Sequence, residues 1–179
     1  MQKKTQLIGK IIIGSILALA LAPQEQQLAQ ESNAPIRSTF LLNLKCVNTG
    51  VGNWKRQTQD ISVGKAVYTS RLYMGPGNRA AALTCQLQPN EEGVFFQNLQ
   101  LDFGMRDNYP DSPGAEVNIY LDGVKSGTAT VAPGQAASIS RDVASAKNIT
   151  IETVCSNPSR YCDRVYFWNV SASYTPPSQ

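Results

Sequence analysis

The chain has 179 residues, a formal net charge of +3 and no histidine. Its length suits one domain, and the absence of histidine excludes Ser-His-Asp and Cys-His nucleophile systems. Three lysines and one glutamate, of 16 basic and 13 acidic residues, precede residue 31, which leaves 13 and 12 for the remainder. This near balance does not indicate an electrostatic surface for nucleic acid, so no nucleic-acid partner is expected.

The N-terminus has the pattern of an export signal. Three lysines are followed by an apolar run over residues 11–22, which is shorter than the roughly 20 residues that a membrane helix needs. We predict a signal peptide over residues 1–22, a flexible leader over 23–37 and one folded domain over 38–175. The mature protein is expected to be secreted or periplasmic, with no membrane contact after cleavage. An uncleaved N-terminal anchor is the alternative.

Four cysteines follow the signal, at Cys46, Cys85, Cys155 and Cys162. An even number of cysteines behind an export signal predicts disulfides. Three pairings are available, and the sequence does not choose between them. Since Cys155 and Cys162 flank the turn-rich segment SNPSRY, we predict that they form a small ring, with Cys46–Cys85 as the second bridge. A four-thiolate zinc site is the alternative, although its usual paired CxxC spacings are absent.

Short apolar alternations separated by turn residues fill the rest of the chain. The first covers residues 40–46, whereas the polar residues 55–60 predict only a short edge strand or an extended loop. Tight turns are expected at Gly64-Lys65 and Asp122-Gly123, and one helical turn at residues 142–147. Because no long helical period occurs, the sequence predicts an all-β domain, a β-sandwich or jelly roll.

Two stretches predict which side chains enter the core. Residues 95–103 alternate, interrupted only at Gln97, and their apolar set is Phe95, Leu99, Leu101 and Phe103. In the last strand, one face would hold Tyr166, Trp168, Val170, Ala172 and Tyr174. This period of two is typical of a half-buried strand. Core packing is therefore the expected role of Tyr166 and Trp168.

The second half of the chain resembles a known family through motifs in a fixed order. They are FGMRDN at residues 103–108, VNIYLDG at 117–123, DVASAK at 142–147, ITIET at 149–153 and CDRVYFW at 162–168. This order is similar to that of the NPCBM family, carbohydrate-binding-like modules often attached to glycoside hydrolases. The resemblance implies a galactose-binding-like jelly roll and a carbohydrate-binding role. One departure is Phe167, which stands where the family has an acid before the tryptophan.

The candidate ligand-binding loop is Met105 to Ala115, which lies between two strand-like runs. Loops of a jelly roll carry its variable chemistry, and a tyrosine can stack on a sugar while planar groups hydrogen-bond its hydroxyls. The predicted binding residues are Arg106, Asp107, Asn108, Tyr109 and Asp111, beside Arg160 and Tyr161. Trp54 and Tyr73 are two further aromatic residues expected in loops. The expected partners are glycans or cell-envelope polysaccharide.

Asp107 and Asp111 allow two further interpretations. Clustered carboxylates in an irregular loop suit calcium, although no EF-hand spacing is present; turn stabilisation by the aspartates is the structural alternative. No other cofactor is predicted. A catalytic carboxylate pair is not favoured, so we predict a non-enzymatic exported module. A cell-envelope structural or protein-interaction module without a sugar site is the alternative function.

Overall fold

The structure, a computed structural model, describes residues 35–87 and 94–176, which belong to one compact unit. The predicted signal peptide and the leader up to residue 34 lie outside the described residues. The described chain forms strands joined by turns, with a 3-10 turn at Leu41–Asn43. The strands are β1 Arg37–Phe40, β2 Cys46–Asn48, β3 Asn53–Val63, β4 Ala66–Gly75, β5 Ala80–Gln86, β6 Phe95–Gly104, β7 Ala115–Leu121, β8 Val124–Val131, β9 Ala136–Asp142, β10 Asn148–Cys155 and β11 Val165–Thr175.

These strands form two antiparallel sheets. The first has the order β3-β4-β11-β6-β9, with β1 also paired to β11, and the second has the order β2-β5-β10-β7-β8. The chain crosses between the sheets repeatedly, as in β6 to β7 and β10 to β11, which is the connectivity of a β-sandwich. The all-β prediction is confirmed. Within the described residues, no helix is long and apolar enough to cross a membrane.

The core lies between the two sheets and consists of apolar side chains, mostly aliphatic and aromatic, with two methionines and Cys85 among them. Its fully buried side chains include Leu72, Phe103 and Phe167 from the first sheet, and Leu83 and Ile119 from the second. Burying one such side chain contributes about 1.5–3 kcal/mol. This packing makes the sandwich a rigid support for the loops at its ends.

A β-bulge in β11 reverses the side-chain alternation that the sequence predicts. Its pairing with β6 shifts register between Phe167 and Asn169, so Trp168 is an extra residue. Phe167 and Val170 consequently both face the main core. Tyr166 and Trp168 instead belong to a second, smaller cluster. The prediction of one shared face for Tyr166, Trp168 and Val170 is wrong, because strict period two assumes an unbroken ladder.

A second irregularity lies near the start of β6. Here the register shift with β11 leaves Gln97 as the extra residue. Phe96 is consequently buried, and Phe95, which was predicted to point inward, is 70% exposed. The prediction holds beyond the bulge, since Leu99 and Leu101 are both buried.

Two predicted local elements differ from the structure. The strand expected over residues 40–46 is interrupted by the 3-10 turn at Leu41–Asn43. The interruption is needed because β1 pairs in the first sheet and β2 in the second, so the chain must turn a corner. The helical turn expected at residues 142–147 is a β-turn, in which the Ala146 N–H donates to the Val143 carbonyl at 3.0 Å.

The β3–β4 hairpin reaches the second cluster and the end of β6. A register shift over residues 56–59 bends β3. Beyond it, the ring of Tyr68 stacks on Trp168 with centroids 4.1 Å apart and planes 21° from parallel. Gly104 makes room for this packing, since a Cβ there would lie 3.0 Å from Val63 Cγ1 and 3.1 Å from the Trp168 ring. The hairpin is thus fixed by aromatic stacking outside the main core.

Both predicted disulfides are present. Cys46 and Cys85 lie directly opposite each other on β2 and β5, and they are 39 residues apart in sequence. Cys155, at the end of β10, bonds to Cys162 and closes a ring with a separation of 7 residues. All four cysteines are paired in these two disulfides, so none is a free thiolate that could bind zinc. The zinc alternative is therefore wrong.

Truncating one inward and one outward phenylalanine will test the bulge assignments. Phe167→Ala is expected to lower the free energy of unfolding by about 3–5 kcal/mol, since it empties a fully buried site. Phe95→Ala is the matched control and should change it by no more than about 0.5 kcal/mol. Urea denaturation of both variants measures the difference. Similar losses in the two variants would contradict the assigned faces.

The two disulfides are expected to differ in their contribution to stability. In the chain-entropy model, the loop of 39 residues contributes about 4 kcal/mol and the ring of 7 residues about 2 kcal/mol. The comparison uses the double variants Cys46→Ala/Cys85→Ala and Cys155→Ala/Cys162→Ala, measured by chemical denaturation. A larger loss on removal of the small ring would show that factors other than loop entropy dominate.

Candidate functional site

Five loops meet at one end of the sandwich. Strands β4, β6 and β10 end there while β5, β7 and β11 begin there, because paired antiparallel strands bring these ends together. The loops are residues 49–52, 76–79, 105–114, 132–135 and 156–164. Loops on a rigid scaffold are where binding residues concentrate, so this end is the candidate site.

An ion pair joins the two longest of these loops, residues 105–114 and 156–164. Arg106 Nε and Nη2 donate to the two carboxylate oxygens of Asp163 at 2.7 and 3.0 Å. The hydrogen bonds with Asp163 raise the pKa of Arg106. Asp163 is only 8% exposed, and its N–H donates to Ser112 Oγ at 2.8 Å. Because a bidentate pair sets both distance and orientation, it fixes the two loops against each other.

Each of these two loops also carries a tyrosine, Tyr109 in the first and Tyr161 in the second. The guanidinium carbon of Arg106 lies 4.3 Å from the centroid of the Tyr109 ring, a cation–π contact. Tyr161 belongs to the small disulfide ring and is 74% exposed. Nearby, Arg160 Nη2 donates to the backbone carbonyl of Asp111, which ties the two loops a second time.

The first cleft lies between these loops. It has a volume of about 210 Å³ and is lined by Tyr109, Asp111, Ser112, Tyr161 and Asp163. Two tyrosines and two aspartates therefore line one cleft. An opening of this kind can take a small polar ligand with an apolar face.

Five of the seven predicted binding residues line the first cleft or contact residues that do. They are Arg106, Tyr109, Asp111, Arg160 and Tyr161. Asn108 and Asp107 instead line a separate cavity of about 230 Å³, which they share with residues 59–62 of β3 and with Arg106. The loop of residues 105–114 therefore contributes residues both to the first cleft and to this separate cavity.

Asp107 stabilises the distant turn of the β3–β4 hairpin. Gly64 and Lys65 both have positive φ, 57° and 67°, as the predicted tight turn requires. Asp107 Oδ1 accepts from the Gly64 N–H at 2.7 Å, and Oδ2 accepts from the Lys65 N–H at 3.0 Å and from the Ser62 hydroxyl. The bonds from Ser62 and then Lys65 are the main causes that lower the pKa of Asp107.

This arrangement bears on the predicted calcium site. Both carboxylate oxygens of Asp107 already accept hydrogen bonds. Across residues 35–87 and 94–176, no group of three or more His, Cys, Asp or Glu side chains is placed to hold a metal ion. Calcium at Asp107 and Asp111 therefore stays a prediction, and the contacts of Asp107 favour its role in stabilising a turn.

The second cleft was not predicted from the sequence. It has a volume of about 410 Å³, and Tyr161 lines it as well as the first cleft. Its lining consists of Val51, Gly52, Asn53, Gly75, Pro76, Gly77, Asn78, Arg79 and Tyr161. In the sequence, GPGN at residues 75–78 has the composition of a turn. Glycine has no side chain beyond Cα, so a ligand can approach the main chain closely at these positions. The glycines of this segment were therefore the available indication of a cleft.

Two aromatic residues expected in loops are placed in strands instead. Trp54 is half-buried in β3 and packs against the main core. Tyr73 is 8% exposed in β4, and the guanidinium carbon of Arg164 lies 4.2 Å from its ring centroid. Neither ring is free to stack on a ligand, so the candidate stacking residues are Tyr109 and Tyr161.

No family model and no curated protein match the chain. Solved structures do match it. The tandem CBM51 modules of a family 98 glycoside hydrolase from Streptococcus pneumoniae give a TM-score of 0.61 at 14% identity, over 81% of this chain and 49% of that chain. CBM51-2 with INT domains from Clostridium perfringens ZmpB, in complex with GlcNAc, gives 0.59 at 14%, over 76% and 31%. CBM51 of Clostridium perfringens GH95, in complex with methyl-galactose, gives 0.56 at 12%, over 76% and 99%.

The fold is that of a CBM51 carbohydrate-binding module. Identities of 12–14% show the fold alone, and the galactose-binding-like fold that the family resemblance implies is confirmed at this level. The chain spans about a third of the ZmpB structure and nearly all of the isolated methyl-galactose-binding module. The shared unit is therefore the module and not the larger protein.

The turn contact of Asp107 predicts a pH-dependent stability. Its folded pKa is lowered, so its contribution is present above the unfolded pKa of about 3.9 and is lost as pH falls through the folded pKa. Asp107→Asn should lower the melting temperature at pH 7, and the difference from wild type should shrink below about pH 4. Asp111→Asn is the control, since the Asp111 carboxylate has no hydrogen bond with a described residue. A pH-independent difference would show that the charge of Asp107 is not the cause.

Proposed function

We propose that this protein is an exported, non-enzymatic carbohydrate-binding module whose ligand occupies the first cleft. The observation that carries the proposal is the pair Tyr109 and Tyr161. They line one cleft at the loop end and are 51% and 74% exposed. Exposed aromatic rings beside fixed polar groups are typical of a small-molecule site.

The chemistry of the first cleft suits a sugar. The CH face of a pyranose is apolar and packs on a tyrosine ring, while the Asp111 carboxylate can accept hydrogen bonds from sugar hydroxyls. The Arg106–Asp163 pair holds Tyr109 through its cation–π contact before any ligand arrives. Less conformational entropy is then lost on binding, which is the advantage of a preorganised site.

The structural neighbours support a glycan as the partner. One CBM51 structure contains GlcNAc and another contains methyl-galactose. The same fold in this chain, with two exposed tyrosines at its loop end, favours a glycan or cell-envelope polysaccharide over other small molecules. The identity of the sugar is left to the binding experiment below.

The carboxylates of the site do not favour hydrolysis. A glycosidase needs two acids that can act as acid, base or nucleophile. Asp163 is held by Arg106 and Asp107 by the hairpin turn, which leaves Asp111 as the acid of the first cleft without an ion pair among the described residues. A binding role therefore fits this arrangement better than catalysis.

Export is supported by two independent features. Both disulfides need an oxidising compartment to form and persist, and the N-terminal sequence has a basic start followed by a short apolar run. A secreted or periplasmic location accounts for both. The alternative, a cell-envelope module with this fold and no sugar site, shares these features and differs only in glycan binding.

Tyr109→Ala will test the proposed site. A glycan array screened with the mature protein, with and without calcium, would identify a bound sugar. Isothermal titration should then show that Tyr109→Ala loses roughly 1–3 kcal/mol of binding free energy, because an exposed aromatic in a cleft carries affinity more than stability. The melting temperature should be nearly unchanged.

Phe95→Ala is the matched control, because it removes a similarly exposed ring from a strand end remote from the five loops. It should leave the affinity unchanged. Equal affinity of wild type and Tyr109→Ala would show that the sugar binds elsewhere. An absence of binding across the array would favour the cell-envelope module without a sugar site.

A further inference from the structure

We infer that the second cleft is a subsite for an acidic sugar residue, reached by a saccharide that extends from the first cleft across Tyr161. This inference rests on the proposed carbohydrate binding and adds to it a ligand length and a ligand charge. The ligand class is an oligosaccharide in which one pyranose carries a carboxylate or a sulfate.

The size and position of the second cleft are the first argument. Its volume of about 410 Å³ lies in the range of roughly 300–1,000 Å³ usual for small-molecule sites, whereas the first cleft, at about 210 Å³, is smaller. Tyr161 lines both clefts. A ligand long enough to fill both would therefore pass over one exposed aromatic ring, which can pack against sugars on either side.

The charge of the two clefts is the second argument. Among the described residues that line the second cleft, Arg79 is the one with a charged side chain, and it forms no ion pair or side-chain hydrogen bond with another described residue. The first cleft has the carboxylates of Asp111 and Asp163 instead. Because Asp163 is already paired with Arg106, the orientation depends on Arg79: an anionic group is attracted to the second cleft, which places the acidic residue of the saccharide beside Arg79.

The backbone around Arg79 is the third argument, because it is held before a ligand binds. The Arg79 carbonyl accepts from the Cys155 N–H at 2.9 Å, and the Arg79 N–H donates to the Pro76 carbonyl at 3.0 Å. Cys155 is also covalently joined to Cys162, the residue after Tyr161. The disulfide thus connects the arginine and the tyrosine of the second cleft through a short, rigid path.

Gly77 completes this connection. Its carbonyl accepts from the Cys162 N–H at 2.8 Å, and a Cβ at its position would lie 3.5 Å from Cε2 of Tyr161. The turn and the disulfide ring therefore pack side by side. Next to Gly77, the exposed amide of Asn78 has no hydrogen-bond partner among the described residues and can bond sugar hydroxyls.

The test compares paired acidic and neutral oligosaccharides on the full chain. The probes are a trisaccharide with one terminal uronic acid, its methyl ester, and a terminally sulfated trisaccharide with its unsulfated form, alongside an array of matched acidic and neutral glycans. The free acid or the sulfated form should bind more tightly than its neutral counterpart. Raising the salt concentration should weaken only the acidic ligand, since charge attraction is screened.

Arg79→Gln should weaken binding of the acidic ligand about tenfold, as expected for the loss of a charge-assisted hydrogen bond. It should change binding of the neutral ligand less than about twofold, a difference that an unspecific structural defect would not produce. Arg37→Gln is the matched control, since it removes an exposed arginine from β1, which pairs with the far part of β11.

The outcomes separate this inference from the proposed function. Neutral glycans that bind through Tyr109 with no preference for the acidic forms would overturn the acidic subsite and leave the proposed function intact. Acidic binding that is unaffected by Arg79→Gln would also overturn it. An array on which no glycan binds would overturn both.

Discussion

The β-bulge at Trp168 is the constraint from which the architecture of this module follows. It allows β11 to place Phe167 and Val170 in the main core and still send Tyr166 and Trp168 to the second cluster. There, Trp168 stacks on Tyr68 and fixes the β3–β4 hairpin. The hairpin turn then meets Asp107, in the loop that carries Arg106 and Tyr109. One inserted residue thus couples core packing to the position of the candidate site.

The features of the fold that depend only on residues adjacent in the chain were predictable from the sequence. Gly64-Lys65 and Asp122-Gly123 form the expected turns, with positive φ at all four positions. The bulges at Gln97 and Trp168 were not predictable, because a bulge is defined by the partner strand and a single sequence does not show the partner. The predicted faces consequently failed on the N-terminal side of each bulge, at Phe95 and Tyr166, and held on its C-terminal side, where Leu99 and Val170 are buried.

Some residues of the candidate site were likewise predictable from the sequence and others were not. Tyr109 and Tyr161 were predictable, since aromatic residues in Pro- and Gly-rich segments are not explained by a strand pattern. The contacts of Asp107 with the hairpin turn were not predictable, because its partners Gly64 and Lys65 precede it by 43 and 42 residues. Arg79 was overlooked for a related reason: the second cleft needs three separate segments of chain, and none of them alone has a binding motif.

The small disulfide ring has a consequence for how the module can diversify. Its two ends are fixed by the Cys155–Cys162 bond, by Cys155 N–H to Arg79 and by Cys162 N–H to Gly77. Between those ends, the side chains of residues 156 and 158–161 are exposed and contribute nothing to the main core. Substitutions at these positions therefore leave the packing of the core intact, while those at Arg160 and Tyr161 change the contacts of the ring with the loops around it.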